Sequence, residues 1–121
     1  MSKLEVTNRE THPSYQFDEV TECWTGLTKA EEYGVFIGVC AYGALPEGKT
    51  PEELAHPEAE AELFYVLNGS GYVYLEGKET TELRKGDSFV LPAQPNHQIW
   101  SASADEPIEI LFVAMDGKRL A

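Results

Sequence analysis

The chain has 121 residues, 42% of them hydrophobic, and a formal net charge of −12. This length suits one compact domain, and the hydrophobic content excludes global disorder. The negative charge argues against nucleic acid and anionic membranes as partners, because both attract a basic surface. No apolar run approaches the roughly 20 residues of a membrane span. The first residues also lack the basic and apolar regions of a signal peptide, so we expect a cytoplasmic protein.

The first predicted element is an N-terminal arm with an edge strand, at residues 1–32. Within it, residues 15–25 alternate loosely between apolar and polar side chains, which is typical of an edge strand or of an arm on a neighbouring subunit. Residues 33–42 are rich in β-formers and predict a strand. Two prolines and a glycine predict a loop at 45–51, and residues 52–55 have room for one helical turn.

The rest of the chain is predicted to form short strands separated by turns at Gly, Pro and Asn. Residues 63–67 are an apolar run, which predicts a strand buried on both faces. Asn68-Gly69-Ser70-Gly71 predicts a tight hairpin turn with its return strand at 72–75. Further strands are predicted at 80–83, 88–91, 97–101 and 108–115, and the tail at 116–121 is polar. About eight short strands without a useful helical segment predict an all-β sandwich or barrel.

Metal-ligand side chains occupy every second position in one acidic stretch. His56, Glu58, Glu60 and Glu62 would lie on one side of an extended chain, where the carboxylates repel each other. A bound divalent cation is the simplest way to relieve that repulsion. The alternative is a solvated acidic loop that leads into a buried strand.

The order of these residues resembles the cupin superfamily, whose first motif is G-x5-H-x-H-x3,4-E-x6-G. His56, Glu58, Glu62 and Gly69 occupy its last four fixed places. The second motif is G-x5-P-x-G-x2-H-x3-N. Three of its fixed places are matched, by Gly86, Pro92 and His97. The resemblance implies a conserved, jelly-roll-like cupin β-barrel over residues 33–115.

The sequence departs from both motifs. Glu58 stands where the second histidine is usual, and Gly48 lies two places too early for the opening glycine. Gln94 and Ser101 replace the glycine and the asparagine of the second motif. Carried over position by position, the metal ligands implied by the resemblance are His56, Glu58, Glu62 and His97. Glu60 is the alternative ligand if the loop slips by two residues.

Two neutral imidazoles and two carboxylates form a hard, anionic ligand set. This set favours Fe(II) or Mn(II) over copper, while Zn(II) and Ni(II) remain alternatives. If Glu58 points away, His56, Glu62 and His97 still form a two-histidine, one-carboxylate triad with open coordination positions. Such positions can polarise a substrate carbonyl or lower the pKa of a bound water.

Three further residues are predicted to lie near a substrate. Phe64 shares the parity of Glu62 along a strand and should therefore face the barrel interior. Gln94 and Asn96 precede His97 and are predicted to contact a substrate or to support the ligands. Trp100 has the opposite parity to His97, so we expect it to face outward, into a homodimer interface.

Cys23 and Cys40 fit no CxxC metal or redox spacing. Reduced thiols are expected for a cytoplasmic protein, and a disulfide between the two is the alternative. Cys40 is predicted to be a small buried residue.

Three functions are compatible with these features. The favoured one is a small metal-dependent enzyme, with dioxygenase, isomerase or lyase chemistry, that acts on a compact polar metabolite able to chelate the metal. The second is a non-catalytic module that binds a sugar or another small molecule, and the third is a structural cupin with a degenerate site. Because a single small domain leaves sheet edges exposed, we expect a homodimer, with residues 15–25 as its candidate contact.

Overall fold

The computed structural model describes residues 3–115, and the polar tail predicted at 116–121 lies outside the described residues. Within this range there are nine strands: β1 (Tyr15–Gln16), β2 (Thr21–Thr25), β3 (Phe36–Tyr42), β4 (Ala61–Asn68), β5 (Gly71–Leu75), β6 (Thr81–Leu83), β7 (Ser88–Leu91), β8 (His97–Ser101) and β9 (Ile108–Met115). One short α-helix, α1 (Pro51–Leu54), lies before β4, and 3-10 turns span Arg9–Thr11 and Leu27–Tyr33. Across residues 3–115, no helix is both long and apolar enough to cross a membrane.

The strands form two antiparallel sheets. The larger has six strands in the order β1-β2-β3-β9-β4-β7, and the smaller has three in the order β6-β5-β8. The core combines side chains from both sheets, including Phe64, Val66 and Ile110 from the larger and Val73 and Ile99 from the smaller. The all-β expectation is therefore confirmed, and the two sheets enclose the space in which the candidate site lies.

The N-terminal strands extend the larger sheet at one edge. β2 pairs along its whole length with β3, and β1 is the edge strand beyond it. The strand expected at 33–42 begins only at Phe36, because the residues before it form 3-10 turns that end at Gly34, whose φ is 82°. The division into an arm at 1–32 and a barrel at 33–115 stays a prediction.

The hairpin predicted at residues 68–71 is wrong. β4 pairs with β7 and β9, whereas β5 pairs with β6 and β8, so the chain crosses here from one sheet to the other. Gly69 has a φ of 80°, and a Cβ at Gly71 would lie 2.1 Å from the carbonyl oxygen of Trp100. The glycines therefore allow a close crossing between sheets rather than a two-strand turn.

The prediction that residues 63–67 are buried on both faces is also wrong. Phe64 and Val66 are 2% and 0% exposed, but Leu63, Tyr65 and Leu67 are 40%, 45% and 38% exposed. Successive side chains of a strand point to opposite faces. The inner face of β4 therefore packs in the core, and its outer face is an exposed apolar surface.

Candidate metal centre

Backbone pairing brings the two candidate histidine ligands together. The N–H of His56 donates to the carbonyl oxygen of His97 at 3.1 Å, and the N–H of His97 donates to that of His56 at 3.0 Å. This isolated antiparallel bridge holds the segment after α1 against the start of β8. The centroids of the two imidazole rings are 4.7 Å apart. Residues that are 41 positions apart (97 − 56) thus become neighbours through main-chain hydrogen bonds.

Glu58 joins this histidine pair. Its Oε1 lies 3.2 Å from Nε2 of His56, and its carbonyl oxygen accepts a hydrogen bond of 3.0 Å from the N–H of Gln94. That bond ties the acidic segment to the loop before β8. The candidate ligand atoms of His56, Glu58 and His97 all lie within 4.8 Å of one another. One ion could therefore be reached by two imidazoles and one carboxylate.

The other two acids of the motif take different positions. Glu62 lies in β4, opposite Leu91 of β7 and Ala114 of β9, and lines the same pocket as the histidines without joining their compact cluster. Glu60 is exposed and lines a shallow groove outside that pocket. The acid nearest the histidines is therefore Glu58, the residue that departs from the family motif.

Burial and mutual charge shift the pKa values of these groups. Burial lowers the pKa of His97 to about 4, with a further contribution from His56. Burial raises the pKa of Glu62 to about 7, and the negative charge of Glu58 adds to the rise. The pKa of His56 is raised, mainly by its hydrogen bond to Glu58. At neutral pH His97 is therefore an uncharged imidazole, the form that can bind a metal.

The donor set fits a divalent cation. The Nδ1 atom of His97 is buried and has no hydrogen-bond partner among the described residues. A buried polar nitrogen without a partner is costly unless an ion, water or ligand satisfies it. Burial raises the pKa of Glu62, and repulsion from the negative charge of Glu58 adds to the rise. A cation among these groups would offset the repulsion between the carboxylates.

The pocket at this centre has a volume of about 120 Å³. Phe64 lines it, as the strand parity predicted, whereas Gln94 and Asn96 are not among its lining residues. Their contact with a substrate stays a prediction. The lining residues are Tyr15, Phe17, Thr21, Cys23, Phe36, Cys40, Tyr42, His56, Glu58, Glu62, Phe64, His97, Ile99 and Phe112.

The N-terminal strands contribute pocket residues that sequence reasoning missed. Phe17 lies with its ring centroid 4.9 Å from that of His56. Thr21 and Cys23 of β2 also line the pocket. The alternation within residues 15–25 is the available signal, and it indicates an edge strand or a subunit contact rather than the wall of a pocket. Neither cupin motif includes this segment, so the motifs gave no reason to place it at the site.

Comparisons with known proteins identify the family and the fold. The family model described as a cupin domain matches residues 42–114, and a search of curated proteins found no match. A predicted oxalate decarboxylase from Thermotoga maritima has a TM-score of 0.69 at 17% identity, covering 92% of this chain and 98% of that one. A putative mannose-6-phosphate isomerase from Ralstonia eutropha JMP134 has a TM-score of 0.64 at 23% identity, with coverages of 93% and 98%.

A larger protein is also similar in fold. Fe(II)-HppE, solved with the alternative substrate (S)-1-HPP, has a TM-score of 0.65 at 14% identity. The match covers 92% of this chain but only 60% of the HppE chain. At these identities the solved structures show a shared fold. Together with the family-model match, they establish that the chain belongs to the cupin family and has its β-barrel fold.

Proposed function

We propose that this cupin is a metal-dependent enzyme that acts on a compact polar metabolite able to chelate the metal. The observation that carries the proposal is the convergence of His56, Glu58 and His97, whose ligand atoms lie within 4.8 Å of one another at a pocket. We include Glu62 as the fourth member of the ligand set, because it lines the same pocket. Fe(II) and Mn(II) are the favoured metals for two imidazoles with carboxylates, and Zn(II) and Ni(II) are the alternatives.

The pocket itself limits the substrate. Its volume of about 120 Å³ is well below the roughly 300–1,000 Å³ of sites for drug-sized ligands. Ile99 and Phe112 are buried side chains of its wall, and Phe17 lies against the ring of His56. These apolar groups would exclude water around a small ligand, while His56, Glu58 and His97 converge within the same pocket. A small oxygen-rich metabolite fits this division.

The chemistry follows from the arrangement of the side chains. A bound divalent metal would supply Lewis acidity or redox chemistry at open coordination positions. His97 presents an uncharged imidazole at neutral pH. His56 presents an imidazole that Glu58 orients through their 3.2 Å contact. The apolar wall holds the substrate against these groups. The similar folds include proteins described as a decarboxylase and an isomerase, which supports lyase or isomerase chemistry without choosing between them. Dioxygenase chemistry is a third class that open coordination positions would allow.

Mn(II) electron paramagnetic resonance tests substrate chelation, with oxalate as the probe. Manganese-loaded protein should give a spectrum that changes when oxalate is added, because a chelating dicarboxylate would occupy open coordination positions. Elemental analysis of protein purified without chelators should then identify the native metal for oxygen-consumption, isomerase and decarboxylase assays. A spectrum unchanged by oxalate would contradict the enzyme proposal and favour a non-catalytic module with a saturated site.

We also propose a cytoplasmic homodimer. Leu63, Tyr65, Leu67 and Val90 lie on one outer face of the larger sheet and are 38–52% exposed. A contiguous exposed apolar patch marks an interaction surface, and an uncharged patch can pair with its own copy across a two-fold axis. We place the contact here rather than at residues 15–25, because β2 is paired on both sides and the edge strand β1 is only two residues long. Trp100 is half-buried and packs against Tyr72 on the smaller sheet.

A charge placed on this apolar face should separate the subunits. We expect Tyr65→Glu to be monomeric in size-exclusion chromatography with light scattering, while the wild type is dimeric. Burying a carboxylate in an apolar interface is strongly unfavourable. Tyr33→Glu is the matched control, because Tyr33 is 86% exposed and lies outside the sheets. A monomeric wild type, or equal behaviour of the two variants, would refute the proposed interface.

A further inference from the structure

The two cysteines face each other across neighbouring strands. Cys23 of β2 and Cys40 of β3 are directly paired in the antiparallel register. The N–H of Gly43 donates to the carbonyl oxygen of Val20 at 2.8 Å, which makes that pair a hydrogen-bonded one. Hydrogen-bonded and non-hydrogen-bonded pairs alternate along antiparallel strands. The Cys23–Cys40 pair lies three positions along the strands from the Val20–Gly43 pair. It is therefore a non-hydrogen-bonded pair, the kind in which opposite side chains are closest.

The sulfur atoms already lie close to bonding distance. The Sγ atoms of Cys23 and Cys40 are 3.0 Å apart and share a hydrogen bond, whereas a disulfide needs about 2.05 Å. The Cα separation of such a pair, about 4.5 Å, is within the range that disulfides span. Closing the bond therefore requires a shift of about 1 Å between the sulfurs, with no rearrangement of the strands.

The environment separates the roles of the two thiols. The hydrogen bond from the Cys40 thiol lowers the pKa of Cys23. The same hydrogen bond, together with burial, raises the pKa of Cys40. Both side chains are only 5–6% exposed, yet both line the pocket that also contains His56. A small reagent that enters this pocket meets them, while bulk solvent does not.

We propose that Cys23 and Cys40 form a redox-active dithiol in the pocket wall, which a small peroxide oxidises reversibly to a cross-strand disulfide. The Cys23 thiolate attacks one oxygen of hydrogen peroxide, the O–O bond breaks, and hydroxide leaves with the thiol proton as water. Cys40 then attacks the sulfenic acid sulfur, the S–S bond forms, and a second water leaves. The two thiols lose two electrons in total and the peroxide gains them. A low-molecular-weight dithiol reverses the oxidation and becomes a disulfide itself.

The geometry favours this chemistry over simple packing. Two thiols in an apolar core need no particular register. Here a non-hydrogen-bonded cross-strand position, a short sulfur contact and a shared pocket coincide at one place. Cys40 is thus the resolving thiol for Cys23, an arrangement typical of cysteines that respond to oxidants.

Peroxide titration of the full-length protein tests the proposal. A chelator in the buffer suppresses metal-driven peroxide reactions, and thiols are alkylated after denaturation and counted by intact-mass spectrometry. We expect Cys23 and Cys40 to be lost together, with a mass decrease of two hydrogen atoms, migration as a single chain on non-reducing gels, and full recovery with dithiothreitol. The Cys40→Ser variant should instead hold a sulfenic acid at Cys23 that dimedone traps.

Three outcomes would overturn the proposal. The first is that both thiols stay alkylatable under peroxide excess. The second is that oxygen atoms add to the wild type without loss of the hydrogens. The third is that the disulfide joins two chains. All three outcomes are measured on the wild-type protein, so the test does not depend on the folding of a variant.

Discussion

Replacing His97 with alanine is expected to abolish the stabilisation that manganese(II) gives the wild-type protein. A metal that binds only the folded state stabilises it by about 2.7 kcal/mol at a concentration of 100 times the Kd. For a domain of this size, that corresponds to a rise in Tm of roughly 10 °C. His97 is 4% exposed, and the His56–Glu58–His97 cluster depends on it. Without its imidazole the proposed set loses one of its two nitrogen ligands, and two of the three members left, Glu58 and Glu62, are carboxylates.

Differential scanning calorimetry with and without manganese measures this effect within each variant. The comparison removes the loss of stability that comes from emptying a buried position, because both scans use the same chain. His12→Ala is the matched control: the third histidine of the chain hydrogen-bonds to the neighbouring Pro13 carbonyl and lies outside the cluster. It should keep the full metal response. His97→Gln, which conserves more volume, should lose the response as His97→Ala does. A preserved rise in Tm in both variants would contradict the role of His97.

Replacing Glu62 with glutamine is expected to stabilise the metal-free protein above neutral pH. The pKa of Glu62 is raised to about 7 in the folded state, from an ordinary value of 4.5. The folded state therefore holds this proton longer than the unfolded state, and stability falls as pH rises from about 4.5 through 7. Glutamine does not ionise and avoids this loss. The expected gain at pH 8 is roughly 1–2 kcal/mol, after discounting for the solvent that reaches the carboxyl.

Excess metal should reverse the sign of this substitution. With manganese present, the wild type should be the more stable protein, because a carboxylate of the proposed ligand set is lost in Glu62→Gln. His56 and His97 face the same pocket, and their pKa values are shifted as well, so each comparison is made between variants at one pH. Urea denaturation at pH 5 and 8, with and without manganese, gives four free energies of unfolding for each protein.

Glu60→Gln is the matched control for this experiment. Glu60 carries the same charge two residues away but is exposed and outside the pocket, so its substitution should change stability little in either condition. Two results would contradict the assignment of Glu62. One is a Glu62→Gln protein that is less stable than wild type at pH 8 without metal. The other is equal stabilisation of both proteins by manganese.

Strand positions could be predicted from the sequence where local chemistry decides them. β7, β8 and β9 begin and end where expected, at 88–91, 97–101 and 108–115. The pairing of strands could not be predicted in the same way. The Asn68–Gly71 segment has the residues of a hairpin turn, but β9 and β7 supply the partners of β4 from far along the chain. A local turn signal does not show whether the strands on either side of it pair with each other or with strands far along the chain.

The candidate site was also only partly predictable. The motif spacing predicted that His56 and His97 lie together, and main-chain hydrogen bonds do join their two segments, while their role as metal ligands stays a prediction. It did not predict that Glu58 would lie nearer to them than Glu62. That placement depends on the hydrogen bond from the N–H of Gln94 to the carbonyl oxygen of Glu58, which the motif does not specify. The exposure of Leu63 and Tyr65 was missed because an apolar run has the same sequence whether its outer face meets the core or a surface.

Anomalous diffraction from crystals soaked in manganese(II) tests the proposed metal centre most directly. We predict one strong manganese peak per chain, bounded by His56, Glu58 and His97 with the Glu62 carboxyl turned toward it. A map with no peak there, or with manganese only among surface carboxylates, would contradict a metal centre in this barrel.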